Sequence, residues 1–369
     1  MPAVAERALR IVIDGRELVG QPTGVGRYLF EVFRQWADDR EVRHTFHVVL
    51  PTTPTPALTA LGPRFRWRVE GADRAGTWWE QTRLPRAAAT TGAHVFFAAG
   101  YTAPWRLPCP LVVAIYDVSY FAHPEWFGRR EGWRRRWLTR SAARRAQSIV
   151  TISEFSAAEI VRWLDVSRGR IHLAPPGGPP LPAHGPVPSP EPVVLFVGSL
   201  FNRRRIPELI EAFALTVPRV PAARLVLVGD NRTSPRVDPR AVAASHGVAD
   251  RVEWREYVSD DELAALYARA RVFAFLSDYE GFGMTPLEAA AYGVPSVMLD
   301  TPVAREVYGD AARLVPLQTP AIAEALTSLL SDPAAHDALA AAARQRLAAF
   351  SWARSATTIL QALEQAARG

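Results

Sequence analysis

Residues 271–300 read RVFAFLSDYEGFGMTPLEAAAYGVPSVMLD. An apolar run with strand character, 271–277, leads into a loop containing Gly281 and Gly283. A short Ala-rich helical segment follows, stopped by Gly293 and Pro295, and a second apolar run closes the stretch at 295–300. Strand, loop, helix and strand in that order form a βαβ unit, whose two strands run parallel. Within it, Thr285 is a good N-cap residue, Pro286 suits the first helical position, and Glu288 stands three residues after Thr285. That spacing predicts a capping box. The main-chain N–H groups from Gly283 onward then end at a helix N-terminus, which attracts phosphate through unpaired donors and the helix dipole. Glu280 precedes the loop and points to a ligand, whereas Glu288 is read both as cap partner and as ligand contact.

The same alternation extends outward in both directions. The first half carries the apolar runs 9–14, 46–50, 94–98, 111–117 and 148–153; the second carries 193–199, 224–230, 251–257, 271–277 and 295–300. Short apolar runs alternating with helical patterns predict parallel sheets covered by helices. Between the halves lies PPGGPPLPAHGPVPSPEP, residues 175–192, too rich in Pro and Gly for a ladder or a helix interior. We therefore expect an α/β protein of two doubly wound, Rossmann-like domains. Residues 1–175 form the first and 193–349 the second, joined by a linker at 176–192, with a last helix at 350–369. Open α/β sheets bind ligands beyond the carboxyl ends of their strands, so two such domains facing one another predict a ligand cleft with two walls.

Composition narrows the chemistry. The chain has 369 residues, 49% hydrophobic and 22% charged, a globular balance. It contains no lysine, so all 43 Lys+Arg positions are arginine. A Walker-type phosphate loop and a Schiff-base lysine are thereby excluded. The formal net charge of +6 is read as arginine usage rather than a nucleic-acid footprint. Cys109 is the single cysteine, which excludes an intrachain disulfide and a cysteine zinc site. There is no H-E-x-x-H spacing and no D-x-D tripeptide, so no metal and no cofactor is expected. No apolar run reaches the roughly 18–20 residues that span a bilayer. The opening MPAVAERALRIVID shows no signal-peptide core, so a cytoplasmic protein is expected.

Three further stretches carry candidate chemistry. The strand at 193–199 ends at Ser199 and is followed by LFNRRRIPELIEAF, which sets Arg203, Arg204 and Arg205 just before a helix from about Pro207. Guanidinium groups clamp phosphate and stay charged. The strand at 9–14 leads through QPTGVGRY into a helix predicted from about Gly26 to Trp36. Gly24-Val25-Gly26 lacks the third glycine of a dinucleotide fingerprint, and no acidic residue ends the next strand. Finally, RREGWRRRWLTRSAARR, residues 129–145, holds eight arginines and one glutamate. Trp133, Trp137, Leu138 and Ala142 are expected on one helical face, which gives either an ordinary surface helix or an interfacial helix drawn to anionic lipid or an anionic acceptor.

Taken together, YEGFGMTPLEAAAYGVPSVMLDTPVAREVYGDAARLV resembles the retaining glycosyltransferases of family 4, which have the GT-B fold and whose hallmark is Glu, seven residues, Glu. Here those positions are Glu280 and Glu288. The resemblance continues in VLFVGSLFNRRRIPELIEAF, YVSDDELAALYARARVF, TISEFSAAEI, YDVSYFAHPEWF and TGVGRY, and the final FSWARSATTILQAL looks like a helix crossing back to the first domain. The look is nearest to bacterial mannosyl- and rhamnosyltransferases. The resemblance implies that Glu280 holds hydroxyls of the donor sugar. The backbone of Gly281, Phe282, Gly283, Met284 and Thr285 would line the sugar and diphosphate, with Ser199 beside them. Glu288 would bond the ribose, Arg203 and Arg204 would neutralise the diphosphate, and the backbone at Val258 would meet the base. Gly24 and Gly26 would close on the leaving phosphate, and Asp117 would face donor sugar or acceptor. Three positions depart from the family pattern: Arg204 stands where the family has Lys, Tyr116 where a His often precedes Asp117, and Glu256 where Gly is common.

The function so implied is transfer of a hexose (mannose-, rhamnose- or glucose-type) from a nucleoside-diphosphate sugar to a hydroxyl of a glycan, lipid-linked or natural-product acceptor. Anomeric configuration is retained and no metal is needed. The expected partners are the donor, the acceptor and a peripheral anionic membrane contact through 129–145. Nucleic acid is not among them. A catalytically inactive sugar- or membrane-associated binding protein and a dinucleotide-dependent oxidoreductase are the alternatives.

Overall fold

A computed structural model of the chain describes residues 8–20, 24–71, 76–179 and 191–369. Most of the 176–192 linker stretch therefore lies outside the described residues. The chain forms two compact units, Met1–Pro176 with Ser351–Gly369, and Gly177–Phe350.

The first unit is built on β1 (Arg10–Asp14), β2 (Thr45–Leu50), β3 (Phe65–Val69), β4 (Val95–Ala98), β5 (Leu111–Ala114), β6 (Ser148–Thr151) and β7 (Ile171–Leu173). They form one sheet in the order β3-β2-β1-β4-β5-β6-β7, every pair parallel. The four central strands β1, β4, β5 and β6 are buried along almost their whole length, as expected when helices cover both faces. The helix Gly24–Asp38 buries Tyr28, Leu29, Val32, Phe33 and Trp36 at a helical spacing. Trp36 stacks on Phe46 of β2 at 4.6 Å between ring centres. The chain's last helix, Trp352–Arg368, packs onto this same unit. Trp36 Nε1 donates to Ala356 O at 2.9 Å, and His44 Nε2 meets Glu364 Oε1 at 2.9 Å.

The second unit is built on β8 (Val193–Val197), β9 (Arg224–Val228), β10 (Val252–Arg255), β11 (Val272–Phe275), β12 (Ser296–Leu299) and β13 (Arg313–Val315). They form a parallel sheet in the order β10-β9-β8-β11-β12-β13. All ten predicted runs are strands. Three strands had no sequence signal: β3 (FRWRV) alternates with arginine, and β7 and β13 are only three residues long.

In each sheet the chain winds outward to one side and then returns to the other. The reversal falls between β1 and β4 in the first unit and between β8 and β11 in the second. A crevice opens at such a reversal, beyond the carboxyl ends of the strands. In the second unit the loops bordering that crevice are those after β8 and β11, which hold Arg203, Arg204 and Glu280.

Two local expectations are corrected. The helix predicted from about Gly26 starts two residues earlier and runs over Gly24–Asp38, so Gly24 lies in its first turn and not in a loop ahead of it. The four residues assigned to one face of the helix Arg129–Arg145 are split: Leu138 and Ala142 are buried, while Trp133 and Trp137 are 64% and 47% exposed. At about 100° per residue, Trp137 lies roughly 40° from Trp133, but Leu138 and Ala142 lie roughly 140° and 180° away.

Candidate active site

In the second unit the loop after β8 begins with a close backbone approach. A Cβ on Gly229, after β9, would collide with Gly198 O, and Gly198 N donates to Val228 O at 2.9 Å. Only glycine allows this contact at Gly229, where φ is +144°. Ser199 follows, and against burial it helps, with Arg232, to hold the Asp230 carboxyl below its ordinary range. Residues Asn202–Arg204 make one 3₁₀ turn, and the helix runs over Ile206–Thr216. Arg205 sits between them at φ 51°, its guanidinium held by Asp278 Oδ2 at 2.5 Å and Glu208 Oε1 at 3.1 Å. Asp278 N in turn donates to Arg203 O at 2.9 Å, so the loops after β8 and β11 are tied by backbone and by side chain.

That tie brings Arg203, Arg204 and Glu280 together. Glu280 Oε1 lies 3.0 Å from Arg204 Nη1 and 3.6 Å from Arg203 Nε, and it accepts from Ser277 Oγ at 2.6 Å. The Arg204 side chain is only 13% exposed, with its guanidinium over the Phe275 ring at 4.5 Å from the centroid. Its Nε and Nη1 are buried and have no aligned hydrogen-bond acceptor; the approach to Glu280 is an ion pair by distance without hydrogen-bond geometry. Burial lowers its pKa, Glu280 opposes that effect, and Arg203 adds to it; an arginine so placed still remains charged at neutral pH. Buried donors without acceptors are uncommon in folded proteins and mark places where a polar partner fits.

Phe275 also touches the turn Gly281–Thr285. A Cβ on Gly283 would lie 3.2 Å from Phe275 Cε1, and φ there is +84°. The neighbouring Tyr308 hydroxyl donates to Gly283 O, and burial raises its pKa well above the usual phenol range, so it stays a donor. Phe282 is buried edge-on against Phe350 at 5.2 Å.

The predicted capping box at Thr285 and Glu288 is not formed. The N-cap position is Met284, already helical at φ −76°, ψ −32°, with no side-chain cap. Thr285 therefore falls inside the first turn, whereas a capping side chain needs extended backbone at the cap. Its Oγ1 is buried with no hydrogen-bond partner. Glu288, 8% exposed, accepts instead from Tyr267 Oη at 2.9 Å. A fully formed capping box lies one helix earlier, Ser259 with Glu262 at the start of Asp260–Arg269. Val258, just before it, is buried, and Glu256 is exposed 4.0 Å from Arg236.

Gly24, Gly26 and Asp117 belong to the first unit. Asp117 follows β5, and its Oδ1 accepts from Ser119 N at 2.8 Å while Oδ2 accepts from Tyr101 Oη at 3.0 Å. Tyr101 adopts φ 63°, a backbone conformation that costs a bulky residue energy. Burial, and then Asp117, hold its hydroxyl protonated. Tyr101, Phe275, Tyr267 and Tyr308 carry no functional signal of their own; in sequence each reads as an ordinary apolar or aromatic core position. Among the described residues no group of three or more His, Cys, Asp or Glu is placed to hold a metal ion, and no helix is long and apolar enough to cross a membrane.

Two family models match the chain. Residues 22–178 match Glycosyltransferase Family 4, and residues 181–346 match Glycosyl transferases group 1. Among curated proteins, O-antigen chain mannosyltransferase B of Escherichia coli is 28% identical over 285 residues, 73% of this chain and 74% of that one. The MMP alpha-(1->4)-mannosyltransferase of Mycolicibacterium hassiacum is 30% identical over 246 residues, 63% of this chain and 58% of that one. Among solved structures, sucrose-phosphate synthase from Thermosynechococcus elongatus superposes with a TM-score of 0.76 at 20% identity, covering 97% of this chain and 99% of that one. Anabaena HepE in complex with UDP-glucose gives 0.74 at 19% identity, covering 97% of this chain and all of that one.

Proposed function

The chain belongs to the family 4 glycosyltransferases with the GT-B fold, and from that premise we propose that it transfers a hexose, mannose-, rhamnose- or glucose-type, from a nucleoside-diphosphate sugar to an acceptor hydroxyl, retaining anomeric configuration. The observation that carries this reading is Arg204, a buried cation with two unsatisfied donors beside Arg203 and Glu280 at the β8/β11 reversal.

In this reading Arg203 and Arg204 take the donor diphosphate, and Thr285 Oγ1 adds a hydroxyl donor. As the C1–O bond to phosphate breaks, its electron pair moves onto the phosphate oxygen. Two guanidinium groups already in place stabilise that charge without solvent reorganisation, so a metal ion is not required. All three contacts of Glu280 fall on Oε1, which leaves Oε2 to orient a hydroxyl of the donor sugar. The acceptor oxygen bonds C1 on the face the phosphate leaves, and its proton passes to the departing phosphate oxygen. Glu288 bonds the ribose, the backbone at Ser199 and Gly281–Thr285 lines the diphosphate and sugar, and Val258 meets the base. In the first unit, Gly24 and Gly26 serve the leaving phosphate and Asp117 the sugar or acceptor. The acceptor is a glycan, a lipid-linked sugar or a small natural product. A cytoplasmic location with peripheral contact to an anionic membrane through Arg129–Arg145 belongs to the same reading.

The test is a thermal-shift series with UDP, GDP, dTDP and ADP, each with its sugar, followed by transfer assays with and without a chelator. A ligand at about 100 times its Kd adds roughly 2.7 kcal/mol to the native state. One nucleotide series is expected to shift the Tm by several degrees, with transfer unchanged by the chelator. No shift from any of the four would refute the reading.

A further inference from the structure

We propose that the first unit docks on an anionic lipid surface through a tryptophan–arginine patch built from three separate segments; this rests on the reading of the chain as a glycosyltransferase with a membrane-side acceptor. Trp78, Trp105, Trp133 and Trp137 are 70%, 46%, 64% and 47% exposed. They come from the helix Thr77–Thr91, the loop between β4 and β5, and the helix Arg129–Arg145.

These side chains are neighbours. Trp137 lies 5.4 Å from Trp105 and 6.5 Å from Trp133 between ring centres. Trp105 N donates to Gln81 Oε1 at 2.7 Å, and Arg134 Nη1 donates to Thr77 Oγ1 at 2.8 Å, so the three segments are bonded together. Arg83 lies over the Trp78 ring. Indole rings this exposed at several adjacent points are costly in water, but they suit the boundary between headgroups and acyl chains.

The charge around the rings selects the lipid. Arg130 and Arg144 fall within about 60° of Trp133 around the helix axis and are exposed, so cations bracket the tryptophans along one face, while Arg140 on the same side lies over Phe121 and donates to Trp163 O. Glu131, the only acid of that helix, lies roughly 160° from Trp133, with its carboxylate engaged by Arg134 and Arg135. A glycan would be read by carboxylates and amides that accept from its hydroxyls. Here Glu131 and Gln81 are already bonded, and Glu80 is buried against Arg16 and Thr102. The surface presents indole and guanidinium groups side by side, which matches anionic headgroups over an apolar layer.

The placement has a functional consequence within this unit. The helix Thr77–Thr91 follows β3, and the helix Arg129–Arg145 follows β5 after two short turns; in a parallel α/β unit the connection after a strand starts at the carboxyl edge of the sheet, which sets the first turns of both helices, with Trp78 and Trp133, towards that edge. Asp117 follows β5 at that same edge. A bilayer against the patch lies beside the edge at which an acceptor hydroxyl would be handled, and so favours acceptors carried on lipid.

The test uses the full chain and sedimentation with two kinds of vesicle, phosphatidylcholine alone and phosphatidylcholine with about one-third phosphatidylglycerol. Binding is expected to be at least about tenfold tighter on the anionic vesicles and to weaken with salt. Trp133→Ser with Trp137→Ser should lose at least about tenfold on the anionic vesicles, and Arg130→Gln with Arg144→Gln should erase most of the lipid preference, with the Tm of both variants kept. Equal binding to both vesicles, no binding to either, or full binding by the tryptophan variant overturns the proposal. Retention on an immobilised mannan without vesicle binding overturns it too, and assigns the patch to a glycan. The nucleotide thermal shift is measured on the same preparations: lost vesicle binding with an intact nucleotide shift rejects only the docking surface, and the reverse rejects the transferase reading.

Discussion

Replacing Arg204 with Met separates binding from folding, because the two respond to different parts of its surroundings. In the free protein the guanidinium contributes a cation–π contact to Phe275 at 4.5 Å, worth about 0.5–2 kcal/mol. Its ion pair with Glu280, partly reached by solvent, adds about 1 kcal/mol at most. Against these stand two buried donors without acceptors, a penalty of about 1–3 kcal/mol. Methionine fills the stem volume and introduces no unsatisfied donor. The opposing contributions nearly cancel, so stability should change by no more than about 1 kcal/mol, a Tm change of roughly 2–4 °C for a unit of this size. Diphosphate binding should respond very differently. Charge-assisted hydrogen bonds are worth about 1.5–3 kcal/mol, which at about 1.4 kcal/mol per decade is a 10- to 150-fold loss of affinity. Calorimetric titration with UDP and GDP, beside a thermal melt, measures both. Unchanged affinity together with a Tm drop beyond roughly 8 °C would show that Arg204 is a structural cation and refute the reasoning.

Glu280→Gln should lower transfer sharply while leaving Tm nearly intact and nucleoside-diphosphate affinity undiminished, since it removes a negative charge from between two arginines; a wild-type transfer rate would remove Glu280 from the mechanism. Tyr267→Phe deprives the buried Glu288 carboxylate of its 2.9 Å donor, at a cost of about 1.5–3 kcal/mol or roughly 3–12 °C in Tm, and a melt unchanged within a degree contradicts this. His47 on β2 has its pKa lowered by burial and then by Arg66, Arg10 and Arg68. The native state therefore resists a proton that the unfolded chain accepts near its ordinary value of 6.5. Stability is thus full above that value and falls as pH drops through it towards the lower native pKa. His47→Gln should flatten the slope of Tm against pH in that window, and an unaltered slope counts against the assignment.

The fold was legible because strand burial and helix cover leave a direct trace. Runs such as VVLFV and LVVA are buried at every position, and a strand buried on both faces reads as a continuous apolar run. The strands that escaped notice are those for which this physics is absent. β3 is an edge strand whose FRWRV sets arginines on its open side, and β13 is a three-residue edge with an exposed arginine. The return of the last helix to the first unit depends on contacts such as Trp36 with Ala356 and His44 with Glu364, each separated by 320 residues, and no local periodicity encodes them.

At the candidate site, residue types were readable but partnerships were not. Arg203, Arg204 and Glu280 announce themselves as charges beside strand ends, and the β8/β11 reversal sets their loops side by side. Thr285-Pro286-Leu287-Glu288 spells a capping box as well as Ser259 to Glu262 does, yet only the latter forms. The difference is made one residue upstream. Ser259 has extended backbone at ψ 162°, whereas Met284 is already helical at ψ −32°, so its helix begins without a cap and leaves Thr285 Oγ1 buried and unbonded. Gly283, with φ +84° and its carbonyl fixed by Tyr308, sets that approach. A strong local signal was therefore overridden by a tertiary contact, and the result is an unsatisfied hydroxyl in the same unit as the two unpaired N–H donors of Arg204. A motif that pairs internally needs no ligand; this one fails to pair, and in the proposed reading it is that failure, more than the spelling of the motif, that a polar substrate in the second unit's crevice would make good.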